Sequence, residues 1–271
     1  MVSSGDVELA AQESGPRGER AVVLVHGLIA TRDHVLGRST TLQRHGFRVI
    51  GYDARGHGRS TAPASPDAYG YDVLVEDLVA VMDAFAVDRA VVVGTSMGCH
   101  TALRLALDEP RRVEAVAAVT PAYDPDRHPE EAAVLRADLL AAALRRGDRE
   151  AFFDTFGVPR ASATRSAAFR QAIELQLAQH RDLRAVADAL EVVTRAQPFG
   201  GLSELARVGA PALVVGTRDE LDPQHPRAVA ERYAAALPRG RFVSEPPGRM
   251  PLSWRGGALS RLVLELAGEA A

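Results

Sequence analysis

The sequence predicts an α/β fold: a mostly parallel central sheet with helices on both faces and a helical lid inserted between two of its strands. Short apolar runs alternate with amphipathic stretches through the first half of the chain, the pattern of strands connected by helices. The alternation stops over roughly Asp124 to Gln197, where the apolar spacing is helical. It resumes at Pro211 and runs to the end. A length of 271 residues suffices for one core with an insertion and requires no second independent domain. The expected division is a core of residues 1–123 and 200–271 and a lid of residues 124–199.

Each element has its own reason. Val7 to Ala11 reads as an edge strand. Ala21 to His26 is a continuous apolar run, as expected of a strand buried on both faces, and Arg48 to Tyr52 is the next strand. Between Tyr71 and Phe85, residues Val73, Leu74, Leu78, Val81 and Met82 form an apolar helical stripe. Ala90 to Val93 reads as a strand, Ser96 to Leu107 as a helix and Val113 to Val119 as a strand. Within the lid the clearest helices are Ala133 to Leu144, Ala168 to Gln179 and Leu183 to Thr194. Pro159 and the Ser/Thr-rich stretch Ala161 to Ser166 punctuate them. Pro211 to Val215 and Arg241 to Ser244 are the last strands, with helices at Ala228 to Leu237 and Leu259 to Leu266.

Composition narrows the function classes. The hydrophobic share is 46%, the charged share 25% and the net charge −3, values of an ordinary globular protein. No basic block points to nucleic acid or to an anionic membrane. The polar stretch from Met1 to Arg20 lacks the apolar centre of a secretory signal, and Cys99 is the only cysteine. Both features lead to the expectation of a cytoplasmic protein. All 32 Lys-or-Arg positions are arginine. A Schiff-base lysine, a Ser-Lys dyad and a P-loop lysine are therefore excluded.

The strongest chemical signal is Val91-Val92-Val93-Gly94-Thr95-Ser96-Met97-Gly98, a buried strand running through G-x-S-x-G into a helix. Such chemistry needs the serine on a sharp turn clear of the sheet, where a base and a carbonyl can both reach it. Gly94 and Gly98 suit a crossing too close for a Cβ, and the Met97 N–H at the helix start is free for an oxyanion. His26-Gly27-Leu28 closes the first buried strand, where the Leu28 N–H is expected to be the second oxyanion donor. The His26 side chain itself reads as a hydrogen-bonded loop histidine. Asp53-Ala54-Arg55-Gly56-His57-Gly58-Arg59-Ser60 reads as a tight loop bonded to its own backbone. Asp219 ends the strand that follows the lid, where open α/β sheets place their sites.

Together VLVHGL, GYDARGHGRS, GTSMG and GTRDELDP resemble the α/β-hydrolase superfamily, particularly its lid-bearing esterases, thioesterases and acyl-transfer enzymes. The resemblance covers essentially the whole chain. It implies Ser96 as nucleophile, Asp219 as the acid and Leu28 with Met97 as oxyanion hole, with no cofactor and no metal. A serine at the elbow also argues against the epoxide-hydrolase and dehalogenase branches, whose elbow nucleophile is aspartate.

The chain departs from that pattern at one place. The family's base is a histidine after the last strand, and Arg249 stands there; a guanidinium cannot act as a general base. No histidine follows His225. Three histidines elsewhere in the chain are candidates. His225, just before Pro226, reads as a capping or surface residue; His100, four residues after Ser96, as packing beneath the elbow; and His128 lies at the lid's entrance. Arg249 at the site's mouth suits a ligand carboxylate or phosphate.

Two function classes follow, and a third option, a cofactor-free perhydrolase or haloperoxidase-like activity, rests only on Met97 beside the serine. The first is an acyl-transfer enzyme acting through a Ser96 acyl-enzyme on an ester or thioester of a small, partly apolar acid. Its partner is a small-molecule acyl substrate, free or presented on a carrier protein or coenzyme A, and a weakened base favours the thioester. The second is a ligand-binding, cyclase- or lyase-type protein that keeps the pocket and has abandoned the triad. An apolar lid also allows pairing into a homodimer.

Overall fold

The computed structural model describes residues 1–16, 18, 20–127, 129–157, 163–218 and 222–270, with only the backbone for residues 163–165. The chain opens on β1 (Val2–Ser4) and β2 (Val7–Leu9), an antiparallel pair. Then follow β3 (Ala11–Ser14), β4 (Ala21–Val25), α1 (Thr41–Arg44), β5 (Arg48–Tyr52) and α2 (Tyr71–Ala84). The elbow lies between β6 (Ala90–Thr95) and α3 (Met97–Asp108), and β7 (Val113–Val119) comes next. Four helices intervene before the sheet resumes: α4 (Glu131–Arg146), α5 (Arg149–Phe156), α6 (Ala163–Leu177) and α7 (Leu183–Arg195). β8 (Ala212–Val215), α8 (Arg227–Ala236), β9 (Gly240–Val243) and α9 (Gly256–Ala270) complete the chain.

The main sheet has the order β3-β5-β4-β6-β7-β8-β9, and only β3 is antiparallel to its neighbour. Because side chains alternate across a strand, adjacent valines serve opposite faces. Val23, Val92, Val116 and Val214 pack with Leu78, Met82 and Leu103 of α2 and α3 and with Tyr233 of α8. Val22, Val91, Val93 and Leu213 pack with Leu42 of α1 and with Leu259, Val263 and Leu266 of α9. Double-sided burial is why these strands read as unbroken apolar runs. It also leaves the strand ends, not the faces, as the place for a site.

Two expectations shift. The edge strand expected over Val7 to Ala11 is split at Ala10, with β2 in the small hairpin and β3 in the main sheet. Ala10 is drawn into loop bonds, its N–H donating to Ser60 Oγ and its carbonyl accepting from the Asp53 N–H. The helix α5 had no counterpart in the sequence reading. Its start is nonetheless conventional: Gly147 ends α4 at φ 67°, and Asp148 caps α5 by accepting from the Ala151 N–H at 3.0 Å.

The helical insertion sits over the carboxyl ends of the strands. Leu140, Leu144, Phe152, Phe153, Val186 and Leu190 form its own core, and Ile29, from the turn after β4, is buried among them. Arg145 of α4 ties α4 to α7 through Asp188 at 2.5 Å and Glu191 at 2.6 Å.

Candidate active site

The site begins with a strained residue. Ser96 has φ 51° and ψ −116°, a conformation that costs a non-glycine residue roughly 1–3 kcal/mol and persists only where its surroundings enforce it. Its N–H donates to the Val119 carbonyl at 2.9 Å, and its carbonyl accepts from the Cys99 and His100 N–H groups. A Cβ on Gly94 would run into the Gly98 carbonyl, and one on Gly98 into the Val25 and His26 carbonyls. The crossing of β6 and α3 is thus as close as the sequence requires.

The turn after β4 abuts the serine. A Cβ on Gly27 would lie 3.2 Å from Ser96 Cβ. The Gly27–Leu28 peptide is held from its carbonyl side, which accepts from His26 Nδ1 at 2.7 Å and from the Ala30 N–H at 3.2 Å. His26 Nε2 accepts from the Ala54 N–H at 2.8 Å, so the ring proton must be on Nδ1. Burial of this neutral ring lowers its pKa to about 3. Among the described residues, neither the Leu28 nor the Met97 N–H donates a hydrogen bond within the chain. Both are available to a ligand oxygen.

His225 is the residue whose place the sequence did not reveal. Expected to cap a helix or to face solvent, it does neither: α8 starts on Pro226 without a side-chain cap, and the imidazole turns inward. Its Nε2 lies 3.0 Å from Ser96 Oγ, and its Nδ1 lies 2.8 and 2.9 Å from the two carboxylate oxygens of Asp222. With Nδ1–H donated to a carboxylate, Nε2 carries the lone pair that accepts from the serine hydroxyl. Asp222 and His225 belong to one turn, Asp222-Pro223-Gln224-His225, closed by the His225 N–H on the Asp222 carbonyl at 3.2 Å. Asp and Pro are the favoured first two residues of such a turn. The signal was present in the sequence as Asp222-Pro223 with a histidine two residues on.

The strand-end loop carrying this turn is tethered from two sides. The buried Glu245, just past β9, accepts from the Arg218 N–H at 2.8 Å and the Leu252 N–H at 3.4 Å. Gln224 donates to the Phe156 carbonyl of α5 at 3.2 Å, a carbonyl that also accepts from Arg136 at 2.7 Å. Sequence reasoning singled out neither glutamate nor glutamine.

The other candidates fall elsewhere. Asp219 and His128 lie outside the described residues. His100 packs beneath the elbow, its Nε2 accepting from the Ala122 and Tyr123 N–H groups and its Nδ1 facing the Tyr71 hydroxyl at 3.0 Å. Burial drops its pKa to about 3. Within the loop Asp53 to Ser60, Asp53 accepts from the Arg59 N–H and Ser60 Oγ donates to the Asp53 carbonyl, while Asp53 also accepts from the Arg32 N–H outside the loop. Arg249 is exposed in the turn Pro246 to Arg249, and its guanidinium has no partner among the described residues. Among the described residues no cluster could hold a metal ion, and no helix is long and apolar enough to cross a membrane.

Comparison with known proteins follows the same lines. The family profile described as alpha/beta hydrolase fold matches residues 20–255. A non-heme chloroperoxidase of Streptomyces lividans is 28% identical over 88% of this chain and 85% of its own. The sn-1-specific diacylglycerol lipase ABHD11 of Mus musculus is 39% identical over 36% of this chain and 32% of its own. The chain spans between 20% and 51% of the length of the curated relatives at about this identity. Among solved structures, the enol-lactonase from Burkholderia xenovorans LB400 superposes with a TM-score of 0.79 at 25% identity, covering 98% of both chains.

Proposed function

The chain belongs to the alpha/beta hydrolase fold family, and from that premise we propose that it is a serine hydrolase cleaving carboxylic esters through an acyl-enzyme on Ser96. One observation carries the reading: His225 Nε2 stands 3.0 Å from Ser96 Oγ while Asp222 holds its other nitrogen. This is the spatial relation of nucleophile, base and orienting acid, reached here with Arg249 at the customary histidine position. Two of the similar proteins, a diacylglycerol lipase and an enol-lactonase, are compatible with it by name, whereas the chloroperoxidase is not.

In the first step Ser96 Oγ adds to the acyl carbon as its proton passes to His225 Nε2, and the carbonyl π electrons move onto oxygen. The Leu28 and Met97 N–H groups receive that oxyanion. Collapse expels the alcohol or thiol, which leaves with the proton from Nε2. Water then repeats the sequence on the acyl-enzyme and restores Ser96. Asp222 stabilises the transient imidazolium and fixes the ring's orientation.

A preference for thioesters rested on an absent base. With His225 at the serine, an oxygen ester is within reach, and a thioester on a carrier remains a substrate of the same chemistry. The helical insertion, touching both the turn after β4 and Gln224, acts as the lid, and its apolar core suits a partly apolar acyl group. A short-chain p-nitrophenyl ester series with Ser96→Ala tests the assignment. We expect a burst of nitrophenol, a mass increase of one acyl group on Ser96, and loss of both in the variant. Turnover surviving Ser96→Ala, or ligand binding without turnover in the parent, would overturn it.

A further inference from the structure

The turn that offers the Leu28 N–H is not stable by its own sequence. Gly27, Leu28, Ile29 and Ala30 form a turn closed by the Ala30 N–H on the Gly27 carbonyl at 3.2 Å, with Ile29 third at φ 66°. A positive φ at that position defines the turn types that take glycine or asparagine there. For a β-branched isoleucine it is a true outlier. Something outside the turn must hold it.

The holding groups come from the helical insertion. The Ile29 carbonyl accepts from Gln176 Nε2 at 3.0 Å and lies 2.8 Å from His180 Nε2. His180 Nδ1 accepts from the Gly58 N–H at 2.8 Å, so its proton is on Nε2 and is donated to Ile29. Both lone pairs of one carbonyl are thereby occupied. The Ile29 side chain is buried among Leu140, Phe152 and Leu190. Two residues later, Thr31 Oγ1 donates to Gln179 Oε1 at 2.9 Å.

We propose that Gln176 and His180 are positioning residues for catalysis: the insertion holds Ile29 in its left-handed conformation, and so keeps the adjoining Leu28 N–H aimed at the oxyanion. The assignment rests on the Ser96 acyl-enzyme reading. Without the two donors, Ile29 relaxes to negative φ, the turn changes type, and the Leu28 amide leaves its direction. Substrate is still bound, because neither residue needs to touch it. The loss falls on kcat.

The test is steady-state kinetics on the ester of highest turnover, for Gln176→Ala, His180→Ala and the double variant, with Ile29→Gly added to each. Full removal of an oxyanion donor costs about 10²–10³ in kcat, so a misaimed one should cost about 10-fold per variant and up to 100-fold together, with KM within about threefold. Glycine adopts positive φ without help, so Ile29→Gly in the double variant should recover about 10-fold in kcat. Arg145→Ala, which loosens α4 from α7 away from the turn, should leave kcat within about twofold and serves as the control for general weakening of the insertion. Circular dichroism and melting identify any variant that fails to fold, and Gln176→Ala, the mildest change, then carries the test alone. Unchanged kcat in folded Gln176→Ala and His180→Ala overturns the proposal, as does a loss confined to KM or shared by Arg145→Ala. Failure of the underlying reading is distinguishable, because it shows as turnover that survives Ser96→Ala.

Discussion

Three segments at the strand ends meet around Ser96, and they are built in two opposite ways. The β6–α3 elbow and the turn after β4 are buried and strained, with Ser96 and Ile29 at positive φ, and they exist only because distant parts of the chain press on them. The turn Asp222 to His225 is local and partly exposed, with side-chain exposures of 15% for Asp222 and 21% for His225. It pairs acid with base inside four residues, needing tertiary structure only for aim. The contrast teaches that two ways of placing polar groups at the strand ends coexist, one enforced by packing from afar and one built within four residues.

The largest effect should come from breaking the local turn. His225→Ala removes the base and should lower kcat by about 10⁵–10⁶, whereas Asp222→Asn leaves the ring but loses its orientation and should cost about 10⁴. Asp219→Asn, measured beside it, should stay within about threefold; a reversed order of the two aspartates would move the acid to Asp219.

The buried side of the comparison is tested by acid. His26 and His100 are held neutral with pKa values lowered to about 3, against about 6.5 in the unfolded chain, and burial lowers His57, His180 and His34 as well. Below pH 6.5 the unfolded state takes up protons that the folded state refuses. Stability therefore falls as pH drops through 6.5 and continues falling to about 3. His26 and His100 together should cost roughly 3 kcal/mol by pH 5.5, a sizeable share of a domain's usual 5–15 kcal/mol. Urea midpoints between pH 7.5 and 5 measure this. His26→Asn and His100→Asn variants should flatten the slope, and an unchanged slope in both would break the comparison.

The smallest effect is expected at Arg249. Exposed and without a partner among the described residues, it should tolerate Ala or His with kcat changed by no more than about twofold on a neutral ester. A large gain in Arg249→His would mean that His225 is a poor base.

Legibility tracked the range of the interactions. The expected strands Arg48 to Tyr52 and Val113 to Val119 coincide with β5 and β7, because double-sided burial leaves an unmistakable apolar run. The elbow was legible for the same local reason: strand, glycine, serine, glycine and helix are contiguous. α5 was not, being eight residues long with few apolar repeats. His225 escaped because an isolated histidine before a proline looks like any loop residue.

By itself the sequence determined the parallel sheet and marked the elbow, where strand, glycine, serine, glycine and helix are contiguous, both legible as patterns over a few residues. Only the tertiary structure decided that His225, 129 positions from Ser96, points its Nε2 at that oxygen, and that Gln176 and His180 reach the Ile29 carbonyl some 150 positions away. Such encounters depend on where the strand ends and the insertion are brought by packing of the whole core. No short pattern carries that information, because the free energy of placing these groups is spread over the apolar contacts that hold the elements in register.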